Sequence, residues 1–225
     1  MLDIFSTYGK ILIVAMGQTL KMSFYSLIFA CIIGLFFGIL LVVKNKFLNA
    51  IAKLFVDIIR GVPMIVLAYF VYFGIPYALN AIGSAITLSA LDAGIICLSL
   101  NCGAYMAEII RGGIQSVPVG QMEAARSLGL SYGKAMRQVV LPQAIRIMIP
   151  SIINQFIITL KDTSILSVIG FPELVNSAKS VISITYKNFE VWAIVGIMYF
   201  IVITILSKIA KLFERRLNRG KRHSH

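Results

Sequence analysis

The sequence predicts an all-α membrane protein with five membrane-spanning helices. Of its 225 residues, 59% are hydrophobic and only 13% are charged, whereas about 25% of residues are charged in an ordinary soluble domain. No charged residue occurs in residues 22–43 or in residues 61–91, and about 20 apolar residues suffice for a helix to cross a bilayer. This composition argues against a soluble enzyme, a disordered chain and a nucleic-acid-binding domain.

The apolar runs give the order of the spans along the chain. The five predicted spans cover approximately residues 20–43, 64–83, 88–110, 143–160 and 189–206. Gly34 and Gly38 in the first span have the GxxxG spacing that lets a second helix approach closely. Residues 47–60, ahead of the second span, repeat apolar side chains at helical spacing between charged ones. That pattern is typical of an amphipathic helix at the membrane surface.

The basic residues predict the orientation of these spans. Sixteen of the 21 Lys and Arg residues fall on one side of the five-span arrangement. Loops rich in Lys and Arg stay in the cytoplasm, so the N-terminus is expected outside and the C-terminus in the cytoplasm. The net charge of +12 is thus a signal of topology rather than of nucleic-acid binding. The basic tail, residues 208–225, is expected to lie against anionic lipid headgroups.

The longest polar connection covers about residues 111–146, and residues 115–142 within it are predicted to form a cytoplasmic helix–turn–helix elbow. Residues 123–125 favour a helix, and Gly129 is a ready C-terminal cap for it. Ser131 is placed to cap a second short helix, which Pro142 should interrupt. From the residues alone, the elbow is either a structural loop lying on the bilayer or a rigid knob that docks on a cytoplasmic partner.

This elbow resembles the EAA motif found in the permease subunits of bacterial ABC importers. The motif reads EAA, three residues, Gly, nine residues, Ile, one residue, Leu-Pro. The residues that match it are Glu123, Ala124, Ala125, Gly129, Leu141 and Pro142, with Val139 in place of the isoleucine. The resemblance implies a multi-pass protein of the bacterial inner membrane. It also implies that the elbow is a coupling helix that docks on a separate ABC ATPase subunit.

The chain is also similar, over nearly its whole length, to the polar-amino-acid branch of that family, which imports histidine, glutamine, arginine and related compounds. The similarity is carried by Arg60-Gly-Val-Pro63 and by residues 105–114 and 160–164. It implies transport of an amino acid by alternating access, with an extracytoplasmic amino-acid-binding protein as donor. The permease would pair with a second copy of itself or with a paralogous subunit. Val62 departs from the threonine that is usual in the family.

Two charges interrupt the fourth span and allow two interpretations. The uncharged residues 147–160 form a helix about 21 Å long at 1.5 Å per residue, which is too short for the bilayer. Lys161 and Asp162 can therefore still lie within the membrane. One interpretation is that they mark the end of the helix at the outer interface. Alternatively, Asp162, Thr163 and Ser164 line a central cavity, where the ammonium group of a zwitterionic ligand lies near the aspartate.

Other polar residues fall on the third and fourth spans. Gln155 lies two helical turns before the aspartate, on the same helix face, and relatives that take cationic amino acids often have glutamate there. It therefore favours a neutral or polar substrate. Asn101 and Tyr105 can face the cavity or join helices by hydrogen bonds. Glu108 and Arg111 have the i,i+3 spacing of an ion pair that is more often structural than functional.

The sequence lacks the patterns of an enzyme. It has no GxxxxGK[ST] motif for binding nucleotide phosphates, so a separate subunit is expected to hydrolyse ATP, and no catalytic set is present. Cys31, Cys97 and Cys102 lie inside apolar segments without a CxxC pair, so no disulfide, metal site or cofactor is expected. The alternatives to an importer subunit are an ion-coupled carrier or channel that uses Asp162, and a membrane scaffold without transport activity.

Overall fold

The chain folds into a helical bundle. A computed structural model describes residues 2–83 and 86–218, and the regular structure within these residues is all helical. Five stretches in the described residues are long and apolar enough to cross a membrane, which confirms the predicted number of spans. They are Asp3–Leu40, Met64–Ala81, Ala90–Gln115, Tyr132–Ile169 and Asn188–Leu212. The α-helices are α1 (Leu2–Leu40), α2 (Lys46–Gly61), α3 (Met64–Tyr69), α4 (Ile75–Ala81), α5 (Ala90–Gln115), α6 (Val119–Ser127), α7 (Tyr132–Ala135), α8 (Leu141–Asp162), α9 (Leu174–Thr185) and α10 (Asn188–Asn218).

The first helix is much longer than predicted. α1 begins at Leu2 rather than near residue 20. Residues 3–19 contain several polar side chains, but their hydroxyl groups bond to carbonyl oxygens of the same helix. Ser6 and Thr7 both donate to the Asp3 carbonyl oxygen, at 2.8 and 2.9 Å. Such bonds satisfy a hydroxyl within the helix, so these residues do not end it.

α1 packs against α5 along a stripe of glycine residues, as the GxxxG spacing predicts. A methyl group built on Gly38 would lie 2.8 Å from Cβ of Ile110, and one built on Gly34 would overlap Cβ of Met106. On the facing helix, a methyl group on Gly103 would also collide with α1. The two backbones can approach this closely only because these positions have no side chain.

The predicted amphipathic helix is α2. Asn45 caps it by accepting hydrogen bonds from the amides of Phe47 and Leu48, at 3.0 and 3.3 Å. The small side chains Ala52 and Val56 are fully buried against the bundle. Four larger apolar side chains face outward: Phe47, Ile51, Leu54 and Ile58 are exposed. An outward apolar face suits contact with the lipid at the membrane boundary.

Two helices pass through a proline by widening the preceding turn. The π-helical turn Met136–Val140 joins α7 to α8, and the amide of Leu141 donates to the carbonyl oxygen five residues earlier. Pro142 follows at once and continues the helix. The same arrangement occurs at Phe70–Gly74, ahead of Pro76. The prediction that Pro142 interrupts the helix was wrong, because a wider turn accommodates a proline that lacks an amide donor.

The predicted elbow is present as α6, a tight turn and α7. Gly129 ends α6 with a left-handed backbone (φ +86°), and the amide of Leu130 donates to the Ala125 carbonyl oxygen at 3.2 Å. These features are those of a glycine helix stop. Ser131 precedes α7, but its side chain makes no capping hydrogen bond. The second helix of the elbow is continuous with the fourth span, because one unbroken helical stretch runs from Tyr132 to Ile169.

The segment after α8 contains a helix that was not predicted, α9. A 3₁₀-helical stretch, Thr163–Ile169, leads to it through a left-handed Gly170. Glu173 is fully buried and caps α9 by accepting hydrogen bonds from the amides of Val175 and Asn176, at 2.8 and 2.6 Å. Burial raises the pKa of the Glu173 carboxyl above its ordinary value, and these two donors oppose that shift.

The last helix covers the predicted fifth span and part of the predicted basic tail. α10 runs from Asn188 to Asn218, and the stretch of it that is long and apolar enough to cross a membrane is Asn188–Leu212. Residues 219–225 of the predicted tail lie outside the described residues.

Candidate functional site

A cavity of about 480 Å³ lies between the α2–α3 break, α5 and α8. Its lining residues are Arg60, Gly61, Val62, Pro63, Met64, Asn101, Tyr105, Gln155, Ile158, Asp162 and Ile165. The helix breaks at residues 61–63 because Pro63 lacks an amide donor and restricts the residue before it to an extended conformation. This break puts a stretch of non-helical backbone on the cavity wall. We call this the distal cavity, because it is farther from the elbow.

A second cavity of about 480 Å³ lies nearer to the elbow along α8. It is lined by Arg60, Tyr105, Glu108, Ile109, Pro150, Ser151, Asn154 and Gln155. We call this the proximal cavity. Arg60, Tyr105 and Gln155 line both cavities, so these three side chains form the boundary between them.

Arg60 makes two contacts at this boundary. Its guanidinium carbon lies 5.0 Å from the centre of the Tyr105 ring, within the range of a cation–π interaction. One of its terminal nitrogens lies 3.8 Å from a carboxylate oxygen of Glu108. The side chain is 38% exposed, so it borders open space while it keeps both contacts.

Glu108 has a stronger partner in Arg111. Two guanidinium nitrogens of Arg111 donate to the same carboxylate oxygen, at 2.6 and 3.1 Å. A third nitrogen of Arg111 donates to Gln115 at 2.9 Å. The i,i+3 pair expected from the sequence is therefore present, and Arg60 extends it toward the cavities.

The fourth span contributes the acidic group of the distal cavity. Asp162 lines that cavity, whereas the neighbouring Lys161 is exposed elsewhere on the helix. Gln155 is only 6% exposed and lies at the boundary. The structure thus brings Gln155 and Asp162 together on one wall, as their spacing predicts.

The other two predicted cavity residues do not line either cavity. Thr163 is fully buried, and its hydroxyl donates to the Leu160 carbonyl oxygen at 2.7 Å. The Ser164 hydroxyl donates to the Lys161 carbonyl oxygen at 2.7 Å. Both hydroxyls are used inside the helix that carries them, because the change to a 3₁₀ helix after α8 brings each close to a carbonyl oxygen three residues earlier.

The third span contributes polar groups whose role the sequence leaves open. Asn101 lines the distal cavity, and its side-chain nitrogen lies 3.7 Å from the sulfur of Met64. It therefore combines the two expected possibilities, a place on the cavity wall and a contact between helices. Tyr105 lies at the boundary and stacks beneath Arg60.

Arg60 is the cavity residue that sequence reasoning missed. The pattern of residues 47–60 places it only at the end of an amphipathic helix, and its motif, residues 60–63, indicates only a family resemblance. The available signal was the helix break at residues 61–63, directly after a charged residue and ahead of an apolar span.

The elbow presents a mixed surface. Glu123, Ala124, Gly129 and Pro142 are exposed, whereas Ala125 is buried beneath α6. Val119 and Leu128 also stand out from the elbow, with 72% and 85% of their surfaces exposed. The elbow therefore exposes both polar and apolar side chains.

The elbow is attached to the fourth span by several contacts. The side-chain nitrogen of Gln143 donates to the side-chain oxygen of Gln121 at 3.3 Å, which joins α8 to α6. An apolar cluster beneath this bond contains Ile110, Val117, Val140, Ala144 and Met148. The Lys44 ammonium also lies 5.5 Å from the centre of the Tyr132 ring, joining the α1–α2 turn to α7. These contacts make the elbow and α8 one packed unit.

The comparison with known families decides what kind of membrane protein carries this site. Residues 30–219 match the family of binding-protein-dependent transport system inner membrane components. The chain belongs to this family. Its members are therefore the reference for the cavities and the elbow.

Relatives in this family have similar sequences along most of their length. The chain is 36% identical over 207 residues to the glutamine transport system permease protein GlnP of Escherichia coli K12, covering 92% of this chain and 93% of the relative. It is 38% identical over 200 residues to YckA of Bacillus subtilis, a probable amino-acid ABC transporter permease protein, covering 89% and 86%.

Solved structures extend this similarity to the fold. A crystal structure of an amino acid ABC transporter with histidines contains a chain that is 39% identical, with a TM-score of 0.86 over 94% of this chain and 96% of that one. A chain of the MetNI methionine ABC transporter, in an inward-facing conformation, has a TM-score of 0.77 at 22% identity, covering 95% and 99%. This second match shows a shared fold.

Proposed function

We propose that this chain is the membrane-spanning subunit of an ATP-driven importer of polar amino acids. The observation that carries the proposal is the pair of cavities inside a bundle of this family, with Arg60 and Asp162 on the wall of one of them. A charged group within a membrane protein is costly unless it faces water or a partner. A zwitterionic amino acid offers one group of each sign. Relatives described as amino-acid permeases support this substrate class.

The elbow is the proposed docking site for a separate ABC ATPase subunit. Glu123, Ala124 and Gly129 would form the contact surface with the exposed Val119 and Leu128 beside them. Ala125 and Pro142 would hold the shape of the elbow, since Ala125 is buried and Pro142 follows the π-helical turn. The sequence has no GxxxxGK[ST] motif, so this chain would contribute the pathway and the ATPase would hydrolyse ATP.

Transport would proceed by alternating access. The Gln121–Gln143 bond and the apolar cluster beneath it connect the elbow to α8. α8 carries Gln155 and Asp162, so a displacement of the elbow would be passed to the cavity wall. A substrate can shift the balance between the two conformations only by binding one of them more tightly.

The remaining partners follow from the family. An extracytoplasmic binding protein would deliver the amino acid, and a second permease chain, identical or paralogous, would complete the assembly in the inner membrane. Gln155 at the cavity boundary favours a neutral, polar amino acid over a strictly cationic one, because a glutamine adds no negative charge. L-glutamine is therefore the first substrate to test.

Reconstitution tests the proposed function. Proteoliposomes that contain this chain, its ATPase and the binding protein should accumulate L-glutamine only when ATP is supplied to the ATPase. Liposomes with this chain alone, given a proton or sodium gradient, are the control. Accumulation by the chain alone would favour the ion-coupled carrier, and absence of uptake of every amino acid by the complete assembly would refute the importer.

A further inference from the structure

The side chain of Arg60 lies between the two cavities, and the position of Arg60 near the end of α2 does not explain this location. It is the last charged residue before the break at residues 61–63, and it lines both the distal and the proximal cavity. A residue that only ended a surface helix would be free to extend into water. Here the Tyr105 ring, 5.0 Å below the guanidinium, holds it at the boundary.

The two arginines that contact Glu108 do so unequally. Arg111 makes two short hydrogen bonds to the carboxylate, at 2.6 and 3.1 Å, whereas Arg60 approaches only to 3.8 Å. If Arg60 moved away, Glu108 would therefore keep a strong, charge-assisted partner. Breaking an ion pair is usually costly because it leaves a buried carboxylate without a partner. Release of Arg60 avoids this cost, since Glu108 would still be paired with Arg111.

The wall of the distal cavity carries one positive and one negative side chain, which complement the carboxylate and the ammonium group of a free amino acid. Arg60 and Asp162 both line its wall, and no ion pair joins them in the described residues. Arginine is suited to a carboxylate because its planar fork can donate two parallel hydrogen bonds. Asp162 is the matching acceptor for an ammonium group.

We propose that Arg60 binds the α-carboxylate of the substrate, and that it does so by exchanging its contact with Glu108 for the substrate. In the structure Arg60 contacts Tyr105 and Glu108, at the boundary between the two cavities. In the occupied cavity it turns toward the distal cavity and holds the carboxylate opposite Asp162. This inference rests on the proposed function and names the group on the substrate that the site recognises.

The exchange makes opposite predictions for the two partners. Removing the Arg60 charge takes away the carboxylate anchor, so substrate affinity falls. Removing the Glu108 charge takes away the competitor for Arg60, so substrate affinity rises or stays the same. A purely structural ion pair would lower affinity in both variants, since either change would disturb the same contact.

The test compares L-glutamine with its α-amide, which has the same side chain and ammonium but no carboxylate. Binding is measured on the purified complex of permease and ATPase in lipid nanodiscs, without the binding protein, so that only the permease discriminates. The wild-type complex should bind L-glutamine about 10- to 100-fold more tightly than the amide, the range for a hydrogen bond to a charged group.

Arg60→Gln should abolish this preference, and Arg60→Lys should restore part of it, because lysine keeps the charge without the fork. Glu108→Gln should keep the preference. Lys53→Gln is the matched control, since it removes a positive charge from an exposed position two turns earlier on α2. If Arg60→Gln does not assemble, the Arg60→Lys and Glu108→Gln results decide the question.

Two outcomes would overturn the inference while leaving the proposed function intact. In the first, the wild-type assembly takes up L-glutamine, but Arg60→Gln keeps the full preference for L-glutamine over its amide. If only Arg60→Lys assembles, the same result in that variant counts. The other is an equal loss of affinity in Glu108→Gln and in the assembling Arg60 variant. Failure of the wild-type assembly to transport any amino acid would instead refute the proposed function.

Discussion

The two sides of α5 are built for different purposes. The side that faces α1 is closely packed: Gly103 lies against α1, while Gly34 and Gly38 on α1 lie against α5. The side that faces the cavities carries Asn101, Tyr105 and Glu108. A close-packed face has one arrangement, because any added atom collides. A polar face beside a cavity has partners that can be exchanged, and exchange is what a transport site requires.

The largest expected effect comes from a change that touches neither side. Glu123→Lys should abolish ATPase stimulation by substrate, because it reverses a charge on the exposed coupling surface, while membrane insertion and thermal stability stay unchanged. Stimulated ATPase activity of the reconstituted assembly measures it. Asp3→Lys makes the same change in net charge at the exposed start of α1 and should leave stimulation normal. Normal stimulation in Glu123→Lys would remove the docking role.

Asp162→Asn tests the exchangeable side. It keeps the shape of the side chain and removes the charge that would face the substrate ammonium, so the KM for uptake should rise about tenfold or more. Lys161→Gln, at the exposed neighbouring position, is the matched control and should have a much smaller effect. Equal effects of the two variants would instead support a role at the outer interface of the membrane.

Gly34→Ala tests the close-packed side. The added methyl group would overlap Cβ of Met106, so the variant should be destabilised by about 1–3 kcal/mol, the usual cost of overpacking. Substrate affinity of the remaining folded protein should be unchanged. Gly17→Ala is the control on the same helix, since nothing lies within 4 Å of that position. Unfolding of the purified proteins in detergent gives the stabilities of Gly34→Ala and Gly17→Ala. Equal stabilities of the two variants would contradict the close packing at Gly34.

Gln155→Glu tests the substrate selectivity of the cavity side, and the expected change is smaller. It adds a negative charge at the boundary between the cavities, so competition for uptake by L-arginine should improve relative to L-glutamine by about five- to tenfold. Gln138→Glu makes the same change at an exposed position outside both cavities and should leave selectivity unchanged. Unchanged selectivity in Gln155→Glu would remove this residue from the pocket.

The smallest expected effect is a pH dependence at α9. Burial raises the pKa of the Glu173 carboxyl, so the folded protein binds more protons than the unfolded chain between the ordinary glutamate pKa and the raised value. Stability should therefore fall as pH rises through that window. Glu173→Gln cannot ionise and should flatten the dependence, measured by thermal unfolding across the window. A slope identical to that of the wild type would contradict this.

Sequence reasoning recovered the elements with strong local signals. The charge-free runs predicted the number of spans, Gly129 predicted the end of α6, and the GxxxG spacing predicted close packing of α1. It failed where a local rule was overridden. Pro142 does not end its helix, because a π-helical turn accommodates it. The first helix begins at Leu2 and not near residue 20, because the hydroxyl groups of its polar start bond to the helix itself.

The candidate site was recovered in part for a similar reason. Gln155 and Asp162 share a helix face, and that relation can be read from their spacing alone. Thr163 and Ser164 follow a change from α to 3₁₀ helix, so their direction could not be extrapolated from that face. Arg60 lies on another helix altogether.

The sequence by itself determined the all-helical architecture, the number of spans and the elbow, since these depend on hydrophobicity, charge and helix caps within short stretches of chain. Only the tertiary structure decided which charges meet. Arg60 and Glu108 are 48 positions apart in the chain, and they approach because the helix break at residues 61–63 and the close packing of the bundle bring α2 beside α5. Contacts between distant segments depend on packing, which no local pattern records.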